Sequence, residues 1–398
     1  MRLSALAGRV SGPGSDVWDD HYDAAERKAA GEDVIIMSVG DPDFDTSPTI
    51  VAAAVQALHA GDTHYTDVAG RNRLRLAVAA YVNDLSQTAY DDTNVVITAG
   101  TQNALYAAAA LLVDPGDDVI VLEPSFTTYR ASIESTGARM VSVPCPSNRG
   151  YQPDIAALAR AIGPRTRAIF YASPANPTGA VFDADSLGAI AAIARANNLW
   201  VVSDEVYADF IFDGTHHSIA ALEGMAERTI IVGSMSKSHA MTGWRVGWAV
   251  GPQHFSAAFA NLNLALTYGL PGFVQEAAAA GLEDRPVEID ALKARFRQRR
   301  DLVLAHLADA AGLAVMPPAA GMFVMIDIRA TGLSGKAFAR QLYATHRVSI
   351  LDGAEFGPSG EGFVRLSFAS TERDLAEGCR RLRAFAAELV GRTERHLG

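Results

Sequence analysis

The sequence predicts an α/β fold with a large domain on a mostly parallel sheet and a smaller α+β layer after it. Three observations lead there. From about residue 94, short β-rich runs alternate with longer helical patterns. Those runs are continuously apolar over four to six residues, as in strands buried on both faces. Beyond about residue 281 the rhythm changes to long charged helices and fewer strands.

Each element has its own justification. Gly40-Asp-Pro-Asp-Phe44 is a turn-rich loop, and Thr46-Ser47-Pro48 opens a helix that Gly61 stops. Val95–Thr98 reads as a strand and Gln102–Val113 as a helix ended by Asp114-Pro115-Gly116. Strands are expected at Val119–Leu122, Met140–Val143 and Ala168–Tyr171, with helices near Thr127–Thr136 and Ile155–Ile162 between them. Asp183–Asn197 is helical, and Leu199–Ser203, Thr229–Val232 and Val246–Val250 complete the sheet. In the last third, a charged helix over Ile289–Leu307 precedes the strand Met322–Ile328. A helix near Lys336–Thr345, strands at Val348–Leu351 and Phe363–Phe368, and a final helix from about Glu372 to Leu389 follow. The expected division is an N-terminal segment at 1–45 packing with the small domain, a large domain at 46–280 and a small domain at 281–398.

Composition narrows the function classes. The 398 residues carry a formal charge of −11, which argues against nucleic acid or an anionic membrane as partner. The longest apolar run, Ala104–Val113, is about half of the ~20 residues a membrane span needs, and no secretory signal opens the chain. A cytoplasmic protein is expected. Cys145 and Cys379 are too few for a disulfide framework, and His216, His217 and His239 lack metal-ligand spacing, so no metal is expected.

Amine chemistry has a short list of candidates: Lys28, Lys237, Lys293 and Lys336 are the only lysines. Three lie in ordinary charged helical stretches. Lys237 lies in Gly233-Ser-Met-Ser-Lys-Ser-His-Ala-Met-Thr-Gly-Trp-Arg-Val-Gly247, after a strand, at the sheet edge where α/β folds bind ligands. Ser234, Ser236 and Arg245 there can bind a phosphate. A lysine beside a phosphate site can hold an aldehyde cofactor.

Further clusters sit at other strand ends. Asp204-Glu-Val-Tyr207 offers a carboxylate for a pyridine nitrogen and a phenol for a ring oxygen, and Asn176-Pro-Thr-Gly179 offers another donor. Gly100-Thr101-Gln102 stands where a strand becomes a helix, either a simple cap or a phosphate site. Phe126 either stacks on a flat ring or packs in the core. Arg365, inside an apolar strand, needs an anion: a structural ion pair or a substrate carboxylate.

In this combination the motifs resemble the class I/II aminotransferases, pyridoxal-phosphate enzymes of the aspartate aminotransferase fold. The likeness runs from Gly40-Asp-Pro-Asp-Phe44 to Arg365, and the serine-flanked Lys237 with Gly243-Trp-Arg-Val-Gly247 is its most specific part. It implies that Lys237 forms the Schiff base, Asp204 pairs with the pyridinium, Tyr207 and Asn176 bind the ring oxygen and Phe126 stacks on the ring. Gly100, Thr101, Gln102, Ser234, Ser236 and Arg245 would hold the phosphate. Arg365, with Asn176 and Gly40, would bind the substrate carboxylate. Tyr65, in Tyr65-x4-Gly70-x3-Leu74-Arg75, would reach the neighbouring subunit's phosphate in a homodimer with shared sites.

Within the family the likeness points to the arginine–pyruvate transaminases, through stretches such as Val17-Trp-Asp-Asp-His-Tyr22 and Glu355-Phe-Gly-Pro-Ser. The implied substrates are an amino acid, arginine, and a keto acid, pyruvate. Aspartate- or aromatic-type transamination and carbon–sulfur β-elimination are the alternatives on the same fold. A guanidinium substrate calls for a carboxylate, and Asp19 or Asp20 is the candidate beside a helix-capping role. A transcription regulator would need a basic DNA-binding module, which the first forty residues lack.

Overall fold

The computed structural model describes residues 1–10, 18–283 and 286–397, so Val17 lies outside the described residues. Seven strands form the main sheet in the order Val95–Thr98, Gly247–Val250, Thr229–Ser234, Trp200–Asp204, Thr166–Ala172, Asp118–Glu123 and Arg139–Pro144. All pair in parallel except Gly247–Val250, which runs antiparallel to both neighbours. The inner strands are buried along nearly their whole length, whereas the edge strand Arg139–Pro144 is largely exposed. Burial on both faces explains why these runs are apolar throughout rather than alternating.

Helices cover both faces. Thr101–Leu112 and Gln253–Leu266 pack one side through Leu105, Ala108, Phe255 and Phe259, while Ala184–Ala196 packs the other through Leu187, Ile190 and Ala194. Capping matches the sequence. Ser47 caps Pro48–His59 by accepting from the Thr49 N–H, and Asp183 caps Ala184–Ala196 through Ser186. Among the helices with no place in the sequence reading, which include Ala5–Val10 and Gln253–Leu266, Asn72–Ser86 and Gly272–Glu283 pack together with Pro48–His59 beneath Trp248.

A second, antiparallel sheet joins Leu351–Asp352, Phe363–Ser367, Phe323–Asp327 and Ala314–Met316. The helices Pro286–Leu307, Gly335–His346 and Glu372–Leu397 accompany it. The expected single strand Val348–Leu351 is two: Val348–Ser349 pairs in parallel with Ile35–Ile36, and Leu351–Asp352 pairs with Phe363–Ser367. The chain changes sheets at Ile350, whose side chain is buried in the shared core. The N-terminal helix Asp19–Ala29 is tied to this layer through Lys28–Asp374 at 2.9 Å and the Tyr343–Asp23 hydrogen bond. The first helix, Ala5–Val10, instead meets Thr128–Glu134 beside the main sheet, with Arg9 donating to the Ser135 carbonyl at 2.9 Å.

Candidate active site

Five strands of the main sheet end at one cavity. Thr98 leads to Gly100 and Thr101, Glu123 to Phe126, Ala172 to Asn176, Asp204 to Tyr207, and Ser234 to Ser236 and Lys237. The small sheet closes the opposite wall with Arg365 and Phe323. The placement follows from parallel topology, which puts the loops after successive strands on one edge.

Lys237 is half-buried, and its Nζ donates to the Gly40 carbonyl at 2.6 Å. Desolvation lowers its pKa to about 8; Asp41 opposes this, and Arg245 and Arg365 add to it. The loop that carries Gly40 is latched to the lysine loop: Thr242 donates to Asp41 at 2.7 Å and Thr46 to the Ala240 carbonyl at 2.7 Å. Gly40 itself admits no side chain, since a Cβ would stand 2.2 Å from the Phe323 ring.

Asp204 is buried at its strand's end. Burial raises its pKa to about 6, while hydrogen bonds from the Tyr129 hydroxyl (2.8 Å) and the Val206 N–H (3.2 Å) pull the other way. Tyr207 is buried nearby, and its phenol oxygen is hydrogen-bonded by Asn176.

A cradle lies at the start of the helix Thr101–Leu112. Gly100 has φ +79°, and a Cβ there would meet Arg245 Nη2 at 2.6 Å, so glycine is required twice over. Arg245, itself left-handed at φ +54°, donates to the Thr242 and Ala99 carbonyls at 2.8 and 3.1 Å. The Thr101 Oγ1 is buried without a hydrogen-bond partner among the described residues, and Ser234 and Ser236 are buried in the same wall. Such an orphaned hydroxyl beside the free N–H groups of a helix N-terminus and a guanidinium fits a phosphate. Gln102 contributes no free side chain: it accepts from Thr128 at 2.6 Å and donates to Ser132 at 3.0 Å.

Arg365, in the strand Phe363–Ser367, lines the wall of the cavity opposite the main sheet. It is 1% exposed and makes no ion pair among the described residues. Its Nη1 donates to Asn176 at 2.9 Å and its Nη2 to the Ser38 carbonyl, while its Nε has no partner. Phe323 and Phe356 stack on the guanidinium at 4.2 and 4.7 Å. A buried guanidinium without a counter-ion, open to a cavity, is a site for a carboxylate.

Phe126 lines the cavity and also packs against the core of the main sheet. Tyr65 is 86% exposed, meets Tyr268 edge to face at 5.0 Å and does not line this chain's cavity. Asp19 and Asp20 do not line it either. They occupy the first turn of Asp19–Ala29, where carboxylates complement the helix dipole, and Asp20 lies 3.8 Å from Arg340. The residue of that segment that does reach the cavity is Trp18, packed on Leu351 and Phe356. Tyr129 was missed. Its signal was spacing, one helical turn after Phe126 behind the same strand.

The profile of the family described as aminotransferase class I and II matches residues 32–382. The chain belongs to the class I and II aminotransferases. Among its curated relatives, an aminotransferase named arginine–pyruvate transaminase AruH, from Pseudomonas aeruginosa, is 48% identical and covers 98% of this chain and 100% of its own. An aspartate aminotransferase from Pyrococcus horikoshii is 35% identical over 90% of this chain and 92% of its own. Among solved structures, the Thermus thermophilus aspartate aminotransferase with maleate superposes with a TM-score of 0.92 at 31% identity, covering 97% of this chain and all of that one. The fold is therefore that of the aspartate aminotransferases, and this aminotransferase is an enzyme of amino-acid metabolism. Among the described residues there is no cluster of metal-ligating side chains and no helix long and apolar enough to cross a membrane.

Proposed function

We propose that this aminotransferase carries pyridoxal phosphate and moves the amino group of L-arginine to pyruvate by a ping-pong mechanism, as a cytoplasmic homodimer. The observation that carries transamination of an α-amino acid is Arg365, a buried cation without a counter-ion in the cavity that holds Lys237 and Asp204. The choice of arginine and pyruvate rests on the 48% identity, over nearly the full length, to a protein of that name.

When bound, pyridoxal phosphate supplies an aldehyde and a ring that accepts electron density from the substrate Cα. Gly100, Thr101, Gln102, Ser234, Ser236 and Arg245 would hold its phosphate, Gln102 through its backbone. Asp204, steadied by Tyr129, would hold the proton on the ring nitrogen. Tyr207 and Asn176 would bind the ring oxygen, and Phe126 would stack on the ring. Arg365, with Asn176 and the Gly40 loop, fixes the substrate carboxylate and so orients the Cα–H bond towards Lys237. Lys237 Nζ would hold the aldehyde and, as a neutral amine, would serve as the base and acid that moves the substrate Cα proton. A pKa near 8 keeps a useful neutral fraction at physiological pH. Trp18 and Phe126 give the substrate side chain an aromatic wall suited to a guanidinium. We assign residues 46–280 to the cofactor-binding domain and 281–398 to the smaller one. Within residues 1–45, Ile35–Ile36 joins the latter, whereas Ala5–Val10 packs beside the main sheet.

The test is direct. Protein reconstituted with pyridoxal phosphate is given L-arginine and pyruvate, and alanine formation is followed by chromatography. Alanine should appear faster than glutamate from 2-oxoglutarate, and faster from arginine than from aspartate or tyrosine. Faster turnover of aspartate or tyrosine overturns the substrate choice. Pyruvate release from cystathionine without any keto acid overturns transamination itself.

A further inference from the structure

Directly behind Asp204, on the side away from the cavity, lies a polar cluster that the mechanism leaves unused. Glu205 is 8% exposed and does not line the cavity. Its carboxylate accepts from Ser86 (3.1 Å), Ser203 (3.0 Å) and Ser218 (2.7 Å) and pairs with His216 Nε2 at 3.0 Å. These partners come from separate places: the helix Asn72–Ser86, the strand Trp200–Asp204 and the loop before the turn Ile219–Ala221. Four groups converging on one buried carboxylate make a built feature, since an ionised carboxylate without such partners is not tolerated in a core.

We propose that His216, through its ion pair with Glu205, is a positioning residue for Asp204, cancelling the adjacent charge so that Asp204 can hold the proton on the cofactor's ring nitrogen. Asp204 and Glu205 are consecutive, so one carboxylate burdens the other. Two buried negative charges side by side favour a proton on one of them. A proton taken by Asp204 is lost to the ring nitrogen it is meant to serve. A cation on Glu205 removes that competition without entering the cavity.

The electrostatics agree with the geometry. Burial works against charge on His216, but the Glu205 carboxylate, with Asp209 behind it, lifts its pKa above the usual histidine range. Burial would raise Glu205, and His216 with the Ser218 and Ser203 hydroxyls brings it below the carboxylate norm. Glu205 remains a contributor to the raised pKa of Asp204. The titratable groups around the pair are Asp209, bonded by the Tyr81 hydroxyl, and Tyr90, whose phenol the Glu205 charge helps keep neutral. His216 Nδ1 is buried without a hydrogen-bond partner among the described residues, so the ring is held through Nε2 on Glu205.

This inference rests on the cofactor reading above. The test titrates the visible absorbance of protein-bound pyridoxal phosphate with pH, in the wild type, His216→Gln, Glu205→Gln and the double variant. His216→Gln leaves a net negative charge behind Asp204 and should move the spectral midpoint up by about one unit. Glu205→Gln lets His216 release its proton, and the double variant is neutral by construction. Both should stay within about 0.3 units of wild type. If His216→Gln does not fold, the double variant should, because its buried charge is gone. An unmoved midpoint in His216→Gln, a double variant shifted as far as the single one, or a double variant that also fails to fold overturns the proposal. A wild type with no bound-cofactor absorbance instead defeats the cofactor reading, so the two failures are told apart.

Discussion

Asp204 and Lys237 set the character of the site at the scale of single residues. Both are held in the cavity against their own charge: burial raises the acid to about 6 and lowers the amine to about 8. For Asp204, the folded pKa lies above the unfolded value. Its ionised form therefore costs stability above pH 6, and the cost disappears as pH falls from 6 towards 3.8. A shift of roughly two units corresponds to about 3 kcal/mol. The cofactor-free Asp204→Asn protein should accordingly melt a few degrees higher than wild type at pH 7.5, with the gap closing by pH 4. Thermal melts by circular dichroism across that range check it; a gap independent of pH contradicts the account. Lys237, Asp204, Tyr207 and Arg365 were legible in the sequence because chemistry restricts them to few residue types. Tyr129 and His216 were not: each acts through a neighbour, and any side chain able to make the same hydrogen bond would serve.

Element-scale features explain why the site assembles. Each parallel strand delivers one loop to the same edge, and the helix Thr101–Leu112 brings its N-terminus to the phosphate cradle. Gly100 is the joint between strand and helix. Gly100→Ala forces a side chain into a left-handed position and within 2.6 Å of Arg245. The variant should bind pyridoxal phosphate 10- to 100-fold more weakly (on the order of a strained backbone site, about 1–3 kcal/mol) while keeping its helical content. Fluorescence titration of the cofactor-free protein measures it, and unchanged affinity would contradict the cradle. The buried strands were readable from their apolar runs. The helices Asn72–Ser86 and Gly272–Glu283 were not, since they mix buried faces with charged residues such as Arg73 and Glu276 that pair across the two helices. The break at Ile350 was equally hidden, because pairing with Ile35–Ile36 depends on a segment more than 300 residues away.

At the scale of the whole molecule, the open question is the second subunit. Tyr65 and Tyr268 are exposed and meet edge to face, with Leu264 and Leu266 exposed nearby in sequence. In the proposed dimer Tyr65 serves the neighbour's phosphate. Tyr65→Ala and Lys237→Ala should each lower turnover alone, the second to background. Mixed and refolded together, they should regain part of the wild-type rate, since a hybrid dimer contains one complete site. Steady-state assays of the mixture decide it, and no recovery contradicts shared sites. The overall acidity and the family-wide fold were plain from composition and motifs. The assembly was implied only by resemblance.

The claim on which everything else depends is that Lys237, alone of the four lysines, carries the cofactor. Borohydride reduction of the pyridoxal-phosphate-loaded protein, followed by peptide mass mapping, tests it most directly. The account predicts a single pyridoxyl-phosphate adduct on Lys237 that disappears in Lys237→Ala. An adduct on Lys28, Lys293 or Lys336 in its place, or none at all, would contradict it.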